Sequence, residues 1–217
     1  SGADAPAKFP SHLRRRESPF AFKMGVSEFV EAFIETWSYQ QSGLYPPAKH
    51  IPPDLTETAM ELAALLSSTM LAAPTGDVLG ILMSEVGFSK RGTNFYPTPP
   101  EIGQLMAELI SGAETKSSKE LQHYEPCCGS GINSLLWLEQ QLLERGEAGV
   151  GDVSLSLEDI DRLMVRCAML QLTHYLAARD VVIKSFSIVG IDSLSRATRG
   201  IAYYASREEA QEAFFAA

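Results

Sequence analysis

Apolar residues recur at helical spacing from Phe29 to Trp37, with Phe29, Val30, Phe33, Ile34 and Trp37 on one face. This predicts a helix over about 27–41, with Ser27 as its N-cap. Tyr45, Pro46, Pro47, Pro52 and Pro53 break the pattern, and Asp54 then stands as the cap of a second helix through Met60, Leu62, Leu65, Leu66, Met70 and Leu71. A shorter helix is expected over about 77–86. From residue 92 the texture changes. A segment rich in aromatic and proline residues, 94–100, leads into an amphipathic helix through Ile102, Leu105, Met106, Leu109 and Ile110.

Beyond a polar loop over 111–119, helical and strand periods alternate. A short strand at 121–124 ends in Glu125-Pro126-Cys127-Cys128-Gly129-Ser130-Gly131, and a helix over about 132–145 follows. Val153, Leu155 and Leu157 alternate as in a strand, closed by Glu158, Asp159, Ile160 and Asp161. A helix over about 162–178 precedes a third strand at 181–189, which ends in Gly190-Ile191-Asp192. Strand, helix, strand, helix, strand at this spacing is the pattern of a parallel, doubly wound sheet. Right-handed crossovers would gather the three strand ends on one edge, where such sheets bind ligands.

Composition narrows the class. A chain of 217 residues that is 45% hydrophobic can bury a sizeable core without metals or disulfides. The three cysteines, Cys127, Cys128 and Cys167, form no disulfide framework, and no second Cys or His pair stands at metal-ligand spacing, so no metal site is assigned. No run approaches the roughly 20 apolar residues of a membrane span, and no apolar signal core follows the first charges. A soluble, cytoplasmic protein is expected. The formal net charge of −9 is wrong for a surface that grips duplex DNA unaided. The only dense basic run, Arg14-Arg15-Arg16, lies in residues 1–18, read as a flexible arm; 19–91 form a helical N-terminal region and 92–217 the α/β domain.

Chemistry is expected at the strand ends. Gly129 and Gly131 allow a tight turn that a ligand can approach closely at a helix N-terminus. Asp159, at the end of the second strand, suits a ribose diol, and Asp192, at the end of the third, suits an exocyclic amino group. The alternatives are a plain tight turn and acids that serve as helix caps. No Gly-x-Gly-x-x-Gly turn supports a dinucleotide-dependent oxidoreductase, and no Walker or Ser/His/Asp ordering supports a triphosphatase or hydrolase.

The ordered set Asn94-Phe95-Tyr96-Pro97-Thr98-Pro99-Pro100-Glu101, the turn 125–131, Glu158-Asp159-Ile160-Asp161 and Gly190-Ile191-Asp192-Ser193-Leu194 resembles the cofactor half of the adenine-N6 DNA methyltransferases, in particular the modification subunits of type I restriction systems. The likeness covers about residues 76–195. It implies a Rossmann-like S-adenosylmethionine-dependent methyltransferase fold with an α-helical N-terminal extension. By the same resemblance, Thr98 and the Pro99 turn would hold the methionine carboxylate of S-adenosylmethionine, and Tyr96 would lie against the cofactor. Glu125, Cys127, Gly129 and Gly131 would form the turn around its methionine moiety, Asp159 would bind the ribose, Ile160 and Asp161 would flank the adenine, and Asp192 would contact its amino group. Pro97 stands where the family often has a second aromatic, and Glu125 where it usually has Asp.

The family's Asn/Asp-Pro-Pro-aromatic segment, which holds a flipped adenine, is absent from these residues, so no catalytic residue is assigned. Tyr203 and Tyr204 are read as part of a short strand, Asn133 as a helix first-turn residue and His174 as a satisfied packing residue. The expected function is that of an S-adenosylmethionine-binding DNA adenine-N6 methyltransferase or its cofactor-binding portion, reaching DNA through a partner such as a specificity subunit or through a region outside this chain. The alternative is a non-catalytic, methyltransferase-like DNA-associated or regulatory protein of a mobile element.

Overall fold

The periodic segments of the N-terminal region form three helices, α1 (Val26–Ser42), α2 (Thr56–Ala72) and α3 (Val78–Glu85), in a computed structural model that describes residues 24–87, 96–113 and 120–208. Helix α1 buries Phe29, Val30, Phe33, Ile34 and Trp37, as the spacing predicts. Its start differs from expectation: Gly25 occupies the N-cap without a side-chain bond, and the Ser27 hydroxyl sits inside the first turn with no partner. The cap expected at Asp54 is replaced by a 3₁₀ turn, Pro53–Leu55, that runs straight into α2. Asp77 caps α3 by accepting from the Gly80 amide at 3.0 Å.

Helix α4 (Pro100–Ala113) lies where the pattern puts it, but not with the expected face inward. Its large apolar residues, Ile102, Leu105, Met106, Leu109 and Ile110, are exposed, while Gly103, Ala107 and Ser111 are buried. Those three recur every fourth residue, and their small size lets α4 press against α5 (Ile132–Val150). A Cβ on Gly103 would come within 2.6 Å of Leu136. Close approach, rather than apolar area, selected the packed face. Helix α5 kinks at Gly146, where φ is 68°, close to the end predicted for it.

The sheet contains β1 (Leu121–Pro126), β2 (Val153–Asp159), β3 (Ser185–Ile191) and β4 (Thr198–Ser206), in that spatial order. The first three are parallel, with Tyr124 opposite Ser156 and Ser156 opposite Ser187; β4 returns antiparallel to β3. The chain is therefore an α/β, Rossmann-like fold. The third strand starts four residues later than its hydrophobic pattern suggests, because Val181 and Ile183 are buried in the core without entering the ladder.

One expectation fails in a way the topology explains. Both crossovers, through α5 and α6 (Arg162–Arg179), step in the same direction across the sheet, and connections of one hand that advance one way place their helices on one face. The sheet is thus covered on one side by α5 and α6. On the other, Gln122, Tyr124, Ser156 and Tyr204 are exposed, so it is not doubly wound among the described residues.

Helix α6 is buried along most of its length, including Leu163–Leu172, because the sheet flanks it on one side and α1, α2 and α3 pack on the other. Its polar residues bind the extension to the sheet. The buried Arg166 guanidinium donates to the Ser38 hydroxyl at 2.8 Å, to the Tyr45 carbonyl and to the Tyr203 hydroxyl. His174 bonds the Leu170 carbonyl and the Ser67 hydroxyl, and Trp37 meets its ring edge-on. Tyr45 reaches the far edge of β4, where its hydroxyl donates to the Ala202 carbonyl and accepts from the Ala202 amide. The arm 1–18 with Arg14–Arg16, the residues Asn94 and Phe95, and most of the terminal helix predicted over 206–215 lie outside the described residues; Ser206 itself ends β4.

Candidate functional site

The turn between β1 and α5 needs left-handed backbone at three places, Cys127 (φ 61°), Gly129 (φ 55°) and Gly131 (φ 90°). Glycine is the low-cost residue for that conformation. At Gly131 there is a second reason, since a Cβ there would sit 3.3 Å from that of Ala168 on α6. The turn is tied to the end of β2 twice. The Cys128 amide donates to the Glu158 carbonyl at 2.8 Å, and the Gly129 amide donates to Asp159 Oδ2 at 2.8 Å. Asp159 Oδ1 accepts from the Asp161 amide, also at 2.8 Å. Asp161 in turn caps α6 by accepting from the Leu163 and Met164 amides.

A cleft of about 210 Å³ opens at these strand ends. Tyr96, Thr98, Cys127, Gly129, Asp159, Ile160 and Asp161 line it, so residues from three separate stretches of sequence meet in one place. Tyr96 and Ile160 are exposed, and Asp159 is buried in the wall. Burial is the largest influence on the Asp159 carboxyl and pushes it above its ordinary value, against the two amide hydrogen bonds. Each of its oxygens holds one backbone N–H and keeps a second lone pair. The buried Cys128 thiol is raised well above its usual range, again by burial, and stays protonated at neutral pH.

Four predicted residues stand apart from the cleft wall. The Pro99 carbonyl starts α4, accepting from the Ile102 and Gly103 amides. Gly131 lies buried beneath the turn. Glu125 points at the first turn of α5, where Oε1 accepts from Asn133 Nδ2 at 3.1 Å and Oε2 from the Ser134 hydroxyl. With the Ser134 proton committed to Glu125, His123 supplies the N–H in its 3.1 Å bond to Ser134. The extra methylene of Glu125 thus reaches a helix start.

Asp192 is the main departure from expectation: its carboxylate accepts from the Leu194 and Ser195 amides, which hold it below its ordinary value, and it caps its own loop outside the cleft. Residues that the sequence did not single out as lining are Pro97, Cys128, Ser130, Ile132, Asn133 and Met164. Asn133 and Met164 occupy the first turns of α5 and α6, a position visible only once the two helix starts are known to face the same opening.

No family model matches this chain, and no curated protein does. Among solved structures, the chain is similar to a Listeria monocytogenes protein described as a class I S-adenosylmethionine-dependent methyltransferase, at 17% identity and a TM-score of 0.39. The match covers 71% of this chain and 43% of that one, so this chain spans less than half the length of its structural neighbour. Among the described residues no helix is long and apolar enough to cross a membrane.

Proposed function

We propose that this chain is the S-adenosylmethionine-binding portion of an adenine-N6 DNA methyltransferase. The observation that carries the reading is the meeting, in one cleft, of the Thr98 segment, the Gly129 turn and the buried carboxylate of Asp159. The residues suit the donor: Asp159 has an open lone pair on each oxygen for ribose hydroxyls, and Asp161 and Asp159 supply negative charge toward a cationic ligand. Ile160 and Met164 offer apolar surface to a flat ring, and Thr98 supplies a hydroxyl beside the turn. When bound, S-adenosylmethionine would supply an activated methyl group.

Methyl transfer to adenine also needs a clamp for the flipped base. Since no Asn/Asp-Pro-Pro-aromatic segment occurs in these residues, the clamp and the DNA contacts would come from a partner or from a region outside this chain. The same missing segment favours the second reading, a methyltransferase-like protein that binds the donor or DNA in a regulatory role and turns nothing over.

Calorimetry with S-adenosylmethionine and NAD tests the pocket. Binding of the donor alone is expected; binding of NAD alone would sink both readings. Labelled methyl transfer to adenine-containing DNA should be absent with this chain alone and appear on adding the clamp-bearing partner. A chain that transfers methyl groups unaided would refute the assignment of the clamp elsewhere.

A further inference from the structure

Resting on the donor-cleft reading, we propose that the ion pair between Glu158 and Arg196 is a positioning device that fixes the loop 192–197 beside the adenosine end of the cleft. Glu158 is the residue before the ribose acid, but its side chain leaves the sheet on the opposite face. Asp159 turns into the helix-covered side, whereas Glu158 lies in the row of Pro126 and Val189 on the open side. There its carboxylate gathers four donors. Arg196 binds it through both Nη atoms at 2.7 Å, the Tyr124 hydroxyl at 2.9 Å and the Ser193 hydroxyl at 3.1 Å. Planar fork pairing of this kind fixes orientation as well as distance.

The loop so held is tightly formed. Arg196 has a left-handed backbone at φ 61°, its amide donates to the Asp192 carbonyl at 2.7 Å, and the Asp192 amide donates to the Ala197 carbonyl at 2.9 Å. With the Asp192 carboxylate capping Leu194 and Ser195, the loop is closed on itself, and two of its side chains, Ser193 and Arg196, bond the neighbouring strand. Asp159, the last residue of β2, stands opposite Gly190 in the parallel register, and the loop begins two residues further along β3 at Asp192. The loop therefore leaves the strand that pairs with the end of β2, and the residues that follow that end, Ile160 and Asp161, line the cleft. At its tip Leu194 is 97% exposed, an apolar side chain that the loop holds in water at this edge. Glu158 keeps the loop in place without touching the ligand, and Asp192 acts through the loop rather than through its carboxylate.

The test compares S-adenosylmethionine and adenosine binding to the whole chain for wild type, Arg196→Ala, Glu158→Gln and the swap Glu158→Arg with Arg196→Glu, with hydrogen exchange followed in the unliganded proteins. Either single variant should weaken both ligands about tenfold and speed exchange of the Leu194 and Ser195 amides, with the thermal transition retained; the swap should restore part of the affinity. Loosening of adenosine while the thermal transition is retained, with faster exchange confined to the loop, is the signature that overall destabilisation would not give. Unchanged affinity in Arg196→Ala, with wild type binding normally, overturns this inference alone. Slow exchange at Leu194 in the variant does the same whatever the ligand. A wild type that binds neither ligand overturns the donor reading and this inference with it.

Discussion

The carboxylate of Asp159 accepts from the Gly129 amide at 2.8 Å, joining the turn after β1 to the end of β2 across 30 residues of sequence. The other oxygen accepts from Asp161, so one buried side chain sets the shape of two sides of the cleft. It is a brace, and under the proposed function it is also the acid that would accept from the ribose.

Asp159→Ala should therefore lose both roles. Two half-buried amides would be left without a partner, at a cost of about 1–2 kcal/mol in unfolding free energy. Donor affinity should fall at least tenfold. Asp159→Asn keeps the volume and one acceptor oxygen and should recover part of the stability while leaving affinity low. Denaturant melts with parallel calorimetry measure both; an Ala variant with unchanged affinity removes Asp159 from the ribose site.

The pH dependence has a definite sign. Burial raises the Asp159 carboxyl above 3.8, so on acidification it takes up a proton before an ordinary aspartate does. Protonation removes the charge that would accept from the donor, and affinity should decline on acidification from a pH above that of an unperturbed Asp. Glu158, lowered from 4.5 to about 2 by Arg196, remains ionised through that window, and the stability its pairing contributes is lost progressively as pH falls from about 4.5 to about 2. Binding followed as pH is lowered from 7 should show this decline in wild type and lack it in Asp159→Asn.

Arg166 is 2% exposed and donates to Ser38, Tyr45 and Tyr203 from the middle of the core. Arg166→Ala would leave those acceptors buried without their donor and open a cavity. A loss of about 3 kcal/mol is expected. Arg166→Lys cannot span all three acceptors and should be intermediate. Chemical denaturation of the two variants gives the comparison.

On α4 the small residues should matter more than the large ones. Leu109→Gln alters a side chain that is 65% exposed and should shift stability by less than about 0.5 kcal/mol. Ala107→Leu, at 3% exposure, should cost about 1–3 kcal/mol by overpacking against α5. Gly103→Val should in addition weaken donor binding, because the new side chain meets Asn133 and Thr98, which both border the cleft. If Leu109→Gln proves the costlier change, the packed face of α4 has been misplaced.

The helices and parallel strands were legible because their period is a local property of the chain. Phe29 to Trp37, and Val153 to Leu157, declare themselves within a few residues. The turn 125–131 and the acid at Asp159 were legible for a related reason: a strand end, a glycine pair and a carboxylate keep their order wherever the fold places them. What failed depends on distant partners. Nothing near Ile102 or Leu109 reveals that Gly103 will win the contact with Leu136. Nothing near Asp192 reveals that its own loop will take up its carboxylate, or that Arg196 will reach back to Glu158. The second face of the sheet, open among the described residues, follows from the direction in which successive crossovers step, which is a property of the whole topology.

The hydroxyl of Tyr45 engages both backbone groups of Ala202 on the outer edge of β4. An unguarded strand margin is a template on which a second polypeptide can lengthen the ladder, and natural proteins block such margins to stay monodisperse. Here the plug comes from the segment after α1, held in place by Arg166. The segment after α1 thus blocks the β4 edge at Ala202, while the helical extension forms a second layer over α6, and loosening Tyr45 is expected to show first as aggregation rather than as a lost cleft.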